Sequence, residues 1–106
     1  MQASIRKYRM SPDQVPEALH LADERFAPRL EEMDGFEAYD LIDCGDGVIL
    51  SITICDDQRA VERSVELAGE FVRDDLADFD IERVEMLEGT MSVSRTREAM
   101  LEPAHA

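Results

Sequence analysis

The chain has 106 residues, of which 44% are hydrophobic and 34% charged, and its formal net charge is −14. That length allows one domain, and no stretch has the composition of a linker that would divide it. Binding to phosphates needs clustered Lys and Arg, so the acid excess argues against a nucleic-acid-binding protein. No apolar run approaches the roughly 20 residues of a membrane span, and the N-terminus lacks a signal-peptide core. We therefore expect a cytoplasmic protein that does not bind membranes.

The basic residues are unusual as well, because ten of the eleven are Arg and Lys7 is the only lysine. A surface this acidic repels itself in dilute buffer and needs counterions to remain compact. At about 1 M salt the Debye length falls to roughly 3 Å, which largely removes that repulsion. The composition therefore favours a halophilic protein of a salt-rich cytoplasm, where KCl accumulates, over an ordinary acidic protein.

The first part of the chain predicts a strand and then a long amphipathic helix. Residues 2–10 alternate imperfectly, as in a strand, and Ser11-Pro12-Asp13 ends the strand and begins the helix. One apolar stripe recurs at helical spacing between acidic residues: Val15, Leu19, Ala22, Phe26, Leu30 and Met33. Pro28 should kink this helix or end its regular part, and Asp34-Gly35 closes it.

The rest of the chain predicts a hairpin, a second helix and a last strand. Residues 36–44 and 48–55 are β-rich runs joined by a turn, Gly45-Asp46-Gly47, which is typical of a hairpin. Asp56-Asp57 supplies an N-cap for the second helix. The stripe of that helix comprises Val61, Val65, Ala68, Val72 and Leu76, with Phe71 and Phe79 at its flanks. Residues 82–93 form the final strand, and a polar C-terminal tail covers 94–106.

This order predicts one α+β domain, residues 1–93, with the ferredoxin-like βαββαβ fold and a four-stranded antiparallel sheet. Right-handed crossovers place both helices on one face of the sheet. The third strand is wholly apolar on one side, with Val48, Leu50, Ile52 and Ile54, and partly apolar on the other. Because the helices cover only one face, we expect a second copy to cover the other, sheet against sheet, in a homodimer.

Four segments carry a resemblance to a known family: R-K-Y-R at 6–9, M-D-G-F at 33–36, D-C-G-D-G-V at 43–48 and F-V-R-D-D-L at 71–76. Over roughly residues 2–93 the chain resembles the antibiotic biosynthesis monooxygenase-like (ABM) family of the dimeric α+β barrel superfamily. The resemblance implies two ferredoxin-like subunits whose sheets pack into a barrel. It also implies activities that range from cofactor-independent oxygenation of phenols to haem degradation, and some members have no known activity, so the fold does not decide the function.

The chain departs from the family in containing no Asn and no Trp. The haem-degrading members rely on an Asn, a Trp and a His, so their triad cannot exist here, and the quinone-forming oxygenases use Asn and Trp in part. The resemblance leaves a pocket between helices and sheet for a small aromatic ligand. Two interpretations follow: a cofactor-independent monooxygenase of a small phenolic or quinol substrate, or a non-catalytic dimeric module that binds a small ligand or a protein.

Cofactor-free oxygenation needs a base or a hydrogen-bond donor that produces the substrate phenolate, and a dry pocket. The candidates are Tyr8, His20, Tyr39 and Ser51. Tyr8 lies among Arg6, Lys7 and Arg9, the only basic cluster. That cluster either holds an anionic substrate or, as we favour, pairs with nearby carboxylates while Tyr8 packs with its hydroxyl in water.

His20 has Glu17 and Glu24 at i−3 and i+4, so it is either a base or metal ligand or, as we favour, a solvated or salt-bridged residue. We expect no metal and no cofactor. The chain also lacks phosphate-binding glycine loops and a nucleophile elbow. Cys44 and Cys55 are expected to be small core residues, too far apart to form a disulfide. His105, in the tail, is expected to play no part.

Overall fold

The computed structural model of the protein describes residues 1–97. Its four strands are β1 (Gln2–Met10), β2 (Phe36–Gly45), β3 (Val48–Cys55) and β4 (Ile81–Thr90). They form one sheet in the order β2-β3-β1-β4, and each neighbouring pair is antiparallel. The helices lie between β1 and β2 and between β3 and β4. This is the ferredoxin-like βαββαβ arrangement, so the predicted fold class is confirmed.

The helical segment after β1 is not one regular helix. A 3₁₀ turn (Pro12–Gln14) leads into α1 (Val15–Leu21), a π-helical turn spans Ala22–Phe26, and α2 (Ala27–Glu31) follows. The N–H of Ala27 bonds to the carbonyl of Ala22, five residues back. The predicted disruption at Pro28 thus takes the form of a wider turn just before it. The buried positions are Val15, Ala18, Ala22, Phe26 and Leu30, whereas Leu19 and Met33 are only half-buried.

The second helix, α3 (Gln58–Asp75), begins as predicted at Asp57, whose carboxylate accepts a hydrogen bond from the Ala60 N–H at 2.9 Å. Its buried face differs slightly from the predicted stripe. Phe71, which was expected at the flank, is a core residue that stacks on Phe26 with ring centroids 5.3 Å apart. Val65 and Val72 are half-buried instead. The contact between the two rings packs the π-helical turn against α3 above the sheet.

The sheet has one covered and one open face. On β3 the side chains of Ile49, Ser51, Thr53 and Cys55 are buried beneath the helices, while those of Val48, Leu50, Ile52 and Ile54 are half-buried on the opposite side. That opposite side, together with Ile5 of β1, Ile42 of β2 and Leu87 of β4, is called the open face below. Ile5, Ile42 and Leu87 are 37%, 43% and 56% exposed. Within residues 1–97 nothing covers this apolar surface.

Two details of the chain differ from the predictions. β4 ends at Thr90, so residues 91–93 are not part of the strand. The pairing of β1 with β4 shifts in register between Lys7 and Tyr8. Cys44 is exposed because it lies next to the hairpin turn, although Cys55 is a buried core residue as expected. His105 lies outside the described residues. No helix in the described part of the chain has the length and hydrophobicity needed to cross a membrane.

Candidate functional site

Arg6 lies on the covered face of β1 and is completely buried. Its Nη2 atom donates to the hydroxyls of Ser51 and Thr53 on β3, at 2.8 and 3.1 Å. Its Nε and Nη1 atoms are buried and have no hydrogen-bond partner among residues 1–97. The ring of Phe26 lies 6.0 Å from the guanidinium carbon. The carboxylate pairing expected for the basic cluster is therefore wrong for Arg6, because the strand pairing places hydroxyls, not acids, beside it.

A buried cation without a counter-charge is costly. Removal of such an ion from water costs several kcal/mol, whereas a desolvated cation–π contact returns about 2 kcal/mol. Burial lowers the pKa of Arg6, and the charge of Arg83 lowers it further, while Tyr8 and Tyr39 oppose this. A guanidinium nevertheless remains protonated in proteins. The site thus presents a fixed positive charge and unused N–H donors, which an anionic oxygen would satisfy.

An apolar cavity lies beside this guanidinium, between the helices and the sheet. Its polar wall consists of Arg6, Tyr8, Tyr39 and Ser51, and the rest is aliphatic or aromatic, including Phe26. Its volume is about 40 Å³, which is room for more than one water at roughly 10–15 Å³ each but less than the roughly 150 Å³ of a cavity that binds benzene. An aromatic ligand beside the unpaired charge therefore requires the side chains that line the cavity to move apart.

Tyr39 approaches the cavity from β2. Its ring meets Phe26 edge-on, with centroids 5.3 Å apart at an interplanar angle of 81°. Burial raises the pKa of Tyr39 well above its usual value, and the nearby Arg6 charge and Ser51 hydroxyl offset this only in part. The hydroxyl therefore stays protonated at neutral pH, so Tyr39 can donate a hydrogen bond but cannot act as a base.

The structure brings together three of the four candidates, Tyr8, Tyr39 and Ser51, on the wall of the cavity. His20 lies elsewhere, on the solvent side of α1. Its side chain is 57% exposed, and its Nε2 atom is 3.4 Å from a carboxylate oxygen of Glu24, the i+4 partner. Among residues 1–97, no cluster of three or more His, Cys, Asp or Glu residues has the geometry to hold a metal ion.

The comparisons with known proteins point to one fold. No protein-family model matches the sequence, and no curated protein matches it. Solved structures do match, among them a Deinococcus radiodurans protein named as an antibiotic biosynthesis monooxygenase, with a TM-score of 0.71 and 17% identity over 93% of this chain and 100% of that one. This chain has the ABM-like fold.

Two further structures share it. The heme-degrader MhuD from Mycobacterium tuberculosis has a TM-score of 0.70 and 16% identity, with 91% of this chain and 100% of that one covered. A dimeric ferredoxin-like protein from an uncultured marine organism has a TM-score of 0.66 and 16% identity, with 91% and 97% covered. Identities this low establish the fold alone, so the role of the site must be argued from this chain's own residues.

Within this ABM-like fold, the sequence did not predict that Arg6 is buried without a carboxylate partner. It also did not predict that the Thr53 hydroxyl accepts a hydrogen bond from Arg6. A signal was present in β3, where Ser51 and Thr53 are the two hydroxyl residues in an otherwise apolar strand. Hydroxyls on a buried strand face need hydrogen-bond partners. That requirement indicates a polar group on the neighbouring strand, and Arg6 is the group that lies there.

Proposed function

We propose that the protein is a cofactor-independent oxygenase of a small phenolic or quinol-type substrate, and that Arg6 holds the phenolate oxygen of that substrate. The observation that carries the proposal is the completely buried guanidinium, which has no counter-charge among residues 1–97 and faces an apolar cavity. The solved structure of the same fold that is named as a monooxygenase supports the reaction class.

The role of Arg6 is to stabilise the substrate as its anion. A unit charge about 4 Å from a phenolate contributes on the order of 4 kcal/mol at the effective dielectric constant of a partly buried site, which opposes the rise in pKa that burial in the cavity causes. A substrate that enters as the phenolate can then keep its charge without a dedicated base. This matters because the cavity wall in the described chain contains no Asp, Glu or His.

The phenolate supplies all the electrons for the reaction. Its electron-rich ring carbon forms a bond to O₂, and the O–O bond and the C–H bond of that carbon then break. One oxygen atom stays on the carbon, and the other leaves as water with the proton from that C–H bond and one proton from solvent that balances the lost phenol proton. The balance is phenol plus O₂ to quinone plus water, so no external reductant is needed. The protonated hydroxyl of Tyr39 is the donor that would stabilise charge developing on the oxygen.

The lack of an acidic or imidazole base at the cavity also favours a second candidate, a module that binds a small anionic aromatic ligand without turnover. Both candidates need Arg6 for binding, and they differ only in the consumption of O₂. The first experiment therefore measures binding and the second measures turnover.

Binding can be measured from the absorbance change of 4-nitrophenolate on addition of the protein, in wild type and in Arg6→Met. We expect Arg6→Met to weaken binding at least about tenfold, because the loss of one charge-assisted hydrogen bond raises the dissociation constant by about that factor. Arg9→Met is the matched control, because Arg9 is exposed and lies on the other side of the same strand. Equal binding by Arg6→Met and wild type would contradict the proposal.

The thermal stability of the ligand-free protein separates this role from a structural one. Because Arg6 is an unpaired buried charge, we expect Arg6→Met to melt at or above the wild-type temperature. A large loss of stability would instead show that its bonds to Ser51 and Thr53 hold the fold. Oxygen uptake with a dihydroxynaphthalene panel then decides between the candidates: Arg6-dependent uptake supports the oxygenase, and binding without uptake leaves the binding module.

We also propose that the protein is a homodimer in which two open faces pack against each other. The open face carries apolar side chains on all four strands, beside the charged Lys7, Asp40 and Glu85. Large exposed apolar patches on small proteins are typical of interfaces. A solved protein of the same fold is described as dimeric. A two-fold axis lets one surface cover its own copy, so no further partner is required.

A further inference from the structure

A second feature adjoins the cavity on the outside of the molecule. It is an open groove between α3 and β4, lined by Tyr8, Ala68, Gly69, Val72, Arg73 and Arg83, and is called the access groove below. Tyr8, Ala68 and Val72 also line the inner cavity. The two spaces therefore share a wall of three side chains, with Arg6 on the inner side.

Gly69 is an unusual residue for its place in the access groove. It lies inside the 18-residue helix α3, where Gly is less favourable than Ala because it loses more backbone entropy on folding. Its backbone does not require Gly, and a Cβ atom built there would meet nothing within 4 Å. Neither the helix nor the packing therefore requires a glycine at this position, where the residue lines the access groove.

The charges at the groove are positive in a chain with a net charge of −14. Arg83 of β4 pairs in register with Tyr8 of β1, and its contact in the described chain is to the sulfur of Met86, at 3.7 Å. The adjacent acids Glu82 and Glu85 pair with Arg9 and Lys7, whose side chains point to the other face. Arg73 adds a second guanidinium, shared with Asp74 at 3.1 Å.

We propose that the access groove is the route by which an anionic substrate reaches Arg6, with Arg83 as the outer anion contact. This inference rests on the proposed function. An anion that approaches an acidic protein is repelled by most of its surface, and local positive charge at a cleft raises the association rate. The guanidinium of Arg83 attracts the anion, the gap at Gly69 admits it, and Tyr8 separates the groove from the buried charge.

The test is the stopped-flow kinetics of 4-nitrophenolate binding in four variants and wild type. Gly69→Leu fills the gap, and we expect it to slow both association and dissociation about tenfold while the dissociation constant changes little, because it alters the route and not the site. Gly69→Ala is the matched control, since it gains the same helix propensity with a smaller side chain, and its rates should stay near those of wild type. Both variants should melt at or above the wild-type temperature.

Arg83→Gln should slow association several-fold and flatten its dependence on ionic strength, as expected for the loss of a steering charge. Arg59→Gln is its control, because Arg59 lies on α3 but lines a different surface groove. Unchanged rates in Gly69→Leu, with wild-type binding that still depends on Arg6, would overturn the route and leave the proposed function in place. Failure of wild type to bind the probe would overturn both.

Discussion

Gly45 and Gly47 flank Asp46 at the turn between β2 and β3, and they have positive φ angles of +85° and +80°. Their surroundings differ. A Cβ atom at Gly45 would meet nothing within 4 Å, whereas one at Gly47 would overlap the carbonyl oxygen of Met10. The main-chain hydrogen bond from the Met10 N–H to the Gly47 carbonyl, at 2.9 Å, holds the two segments in that close approach.

The two alanine variants should therefore differ in stability. Gly45→Ala adds only the strain of a left-handed residue, about 1–2 kcal/mol. Gly47→Ala adds a steric clash with the backbone as well, so we expect a loss of about 3 kcal/mol or more. Urea denaturation of both variants measures the difference. Similar losses would show that the turn moves away from Met10 at little cost.

At the scale of secondary-structure elements, the helical segment after β1 shows how a proline is accommodated. Pro28 has no N–H to donate, and the chain forms a π-helical turn at Ala22–Phe26 instead of a sharp kink. Phe26, the last residue of that turn, is buried against both Tyr39 and Phe71 and lies beside Arg6. The local irregularity thus shapes one wall of the cavity.

The proposed homodimer depends on the open face of the sheet. Ile5 lies at its centre, next to Ile52 on β3 and Leu87 on β4. An Asp at position 5 would lose its hydration in a sheet-to-sheet interface, at a cost of several kcal/mol. Because Ile5 is 37% exposed within one chain, the folded subunit itself should tolerate the change.

We therefore expect wild type to have the mass of a dimer and Ile5→Asp the mass of a folded monomer. Light scattering in high-salt buffer measures the mass, and circular dichroism confirms that the variant is folded. Ala77→Asp, at an exposed position after α3, controls for the added charge and should remain dimeric. A monomeric wild type would refute the proposed homodimer.

The whole molecule has 25 acidic residues against 11 Lys and Arg. In the described chain the ion pairs lie largely at exposed positions, such as Arg63 with Glu66 at 3.0 Å, and pairs of this kind add little stability. Asp75 is more buried than these residues, because its side chain is only 17% exposed. Its carboxylate oxygens lie 3.4 Å from Arg25 and 3.6 Å from Arg29. These few contacts leave most of the negative charge unopposed.

For this reason we expect the melting temperature to rise with KCl, from about 0.1 M to about 1 M, as the Debye length shortens from roughly 10 Å to 3 Å. Differential scanning fluorimetry measures the shift, and an uncharged osmolyte at equal osmolality controls for general effects of solute. A melting temperature independent of KCl would end the proposal that the protein is suited to a salt-rich cytoplasm.

The sequence by itself determined the element order, the hairpin, the helix cap at Asp57 and the fold class. Each depends on contacts between residues near one another in the chain, or on the periodic spacing of apolar side chains. The sequence also predicted that both faces of β3 carry apolar side chains, because a strand alternates its side chains between two faces. Tyr8, Tyr39 and Ser51 were predicted as candidates, and they do line one cavity.

Only the tertiary structure decided which of these groups act together. The partners of Arg6 depend on the register of β1 against β3, which sets Arg6 opposite Ser51, 45 residues away in the chain. The absence of a carboxylate there, within the described residues, depends on how two helices and two further strands pack around it. A charge is paired or unpaired according to its neighbours in space, and those neighbours come from segments that local patterns do not connect.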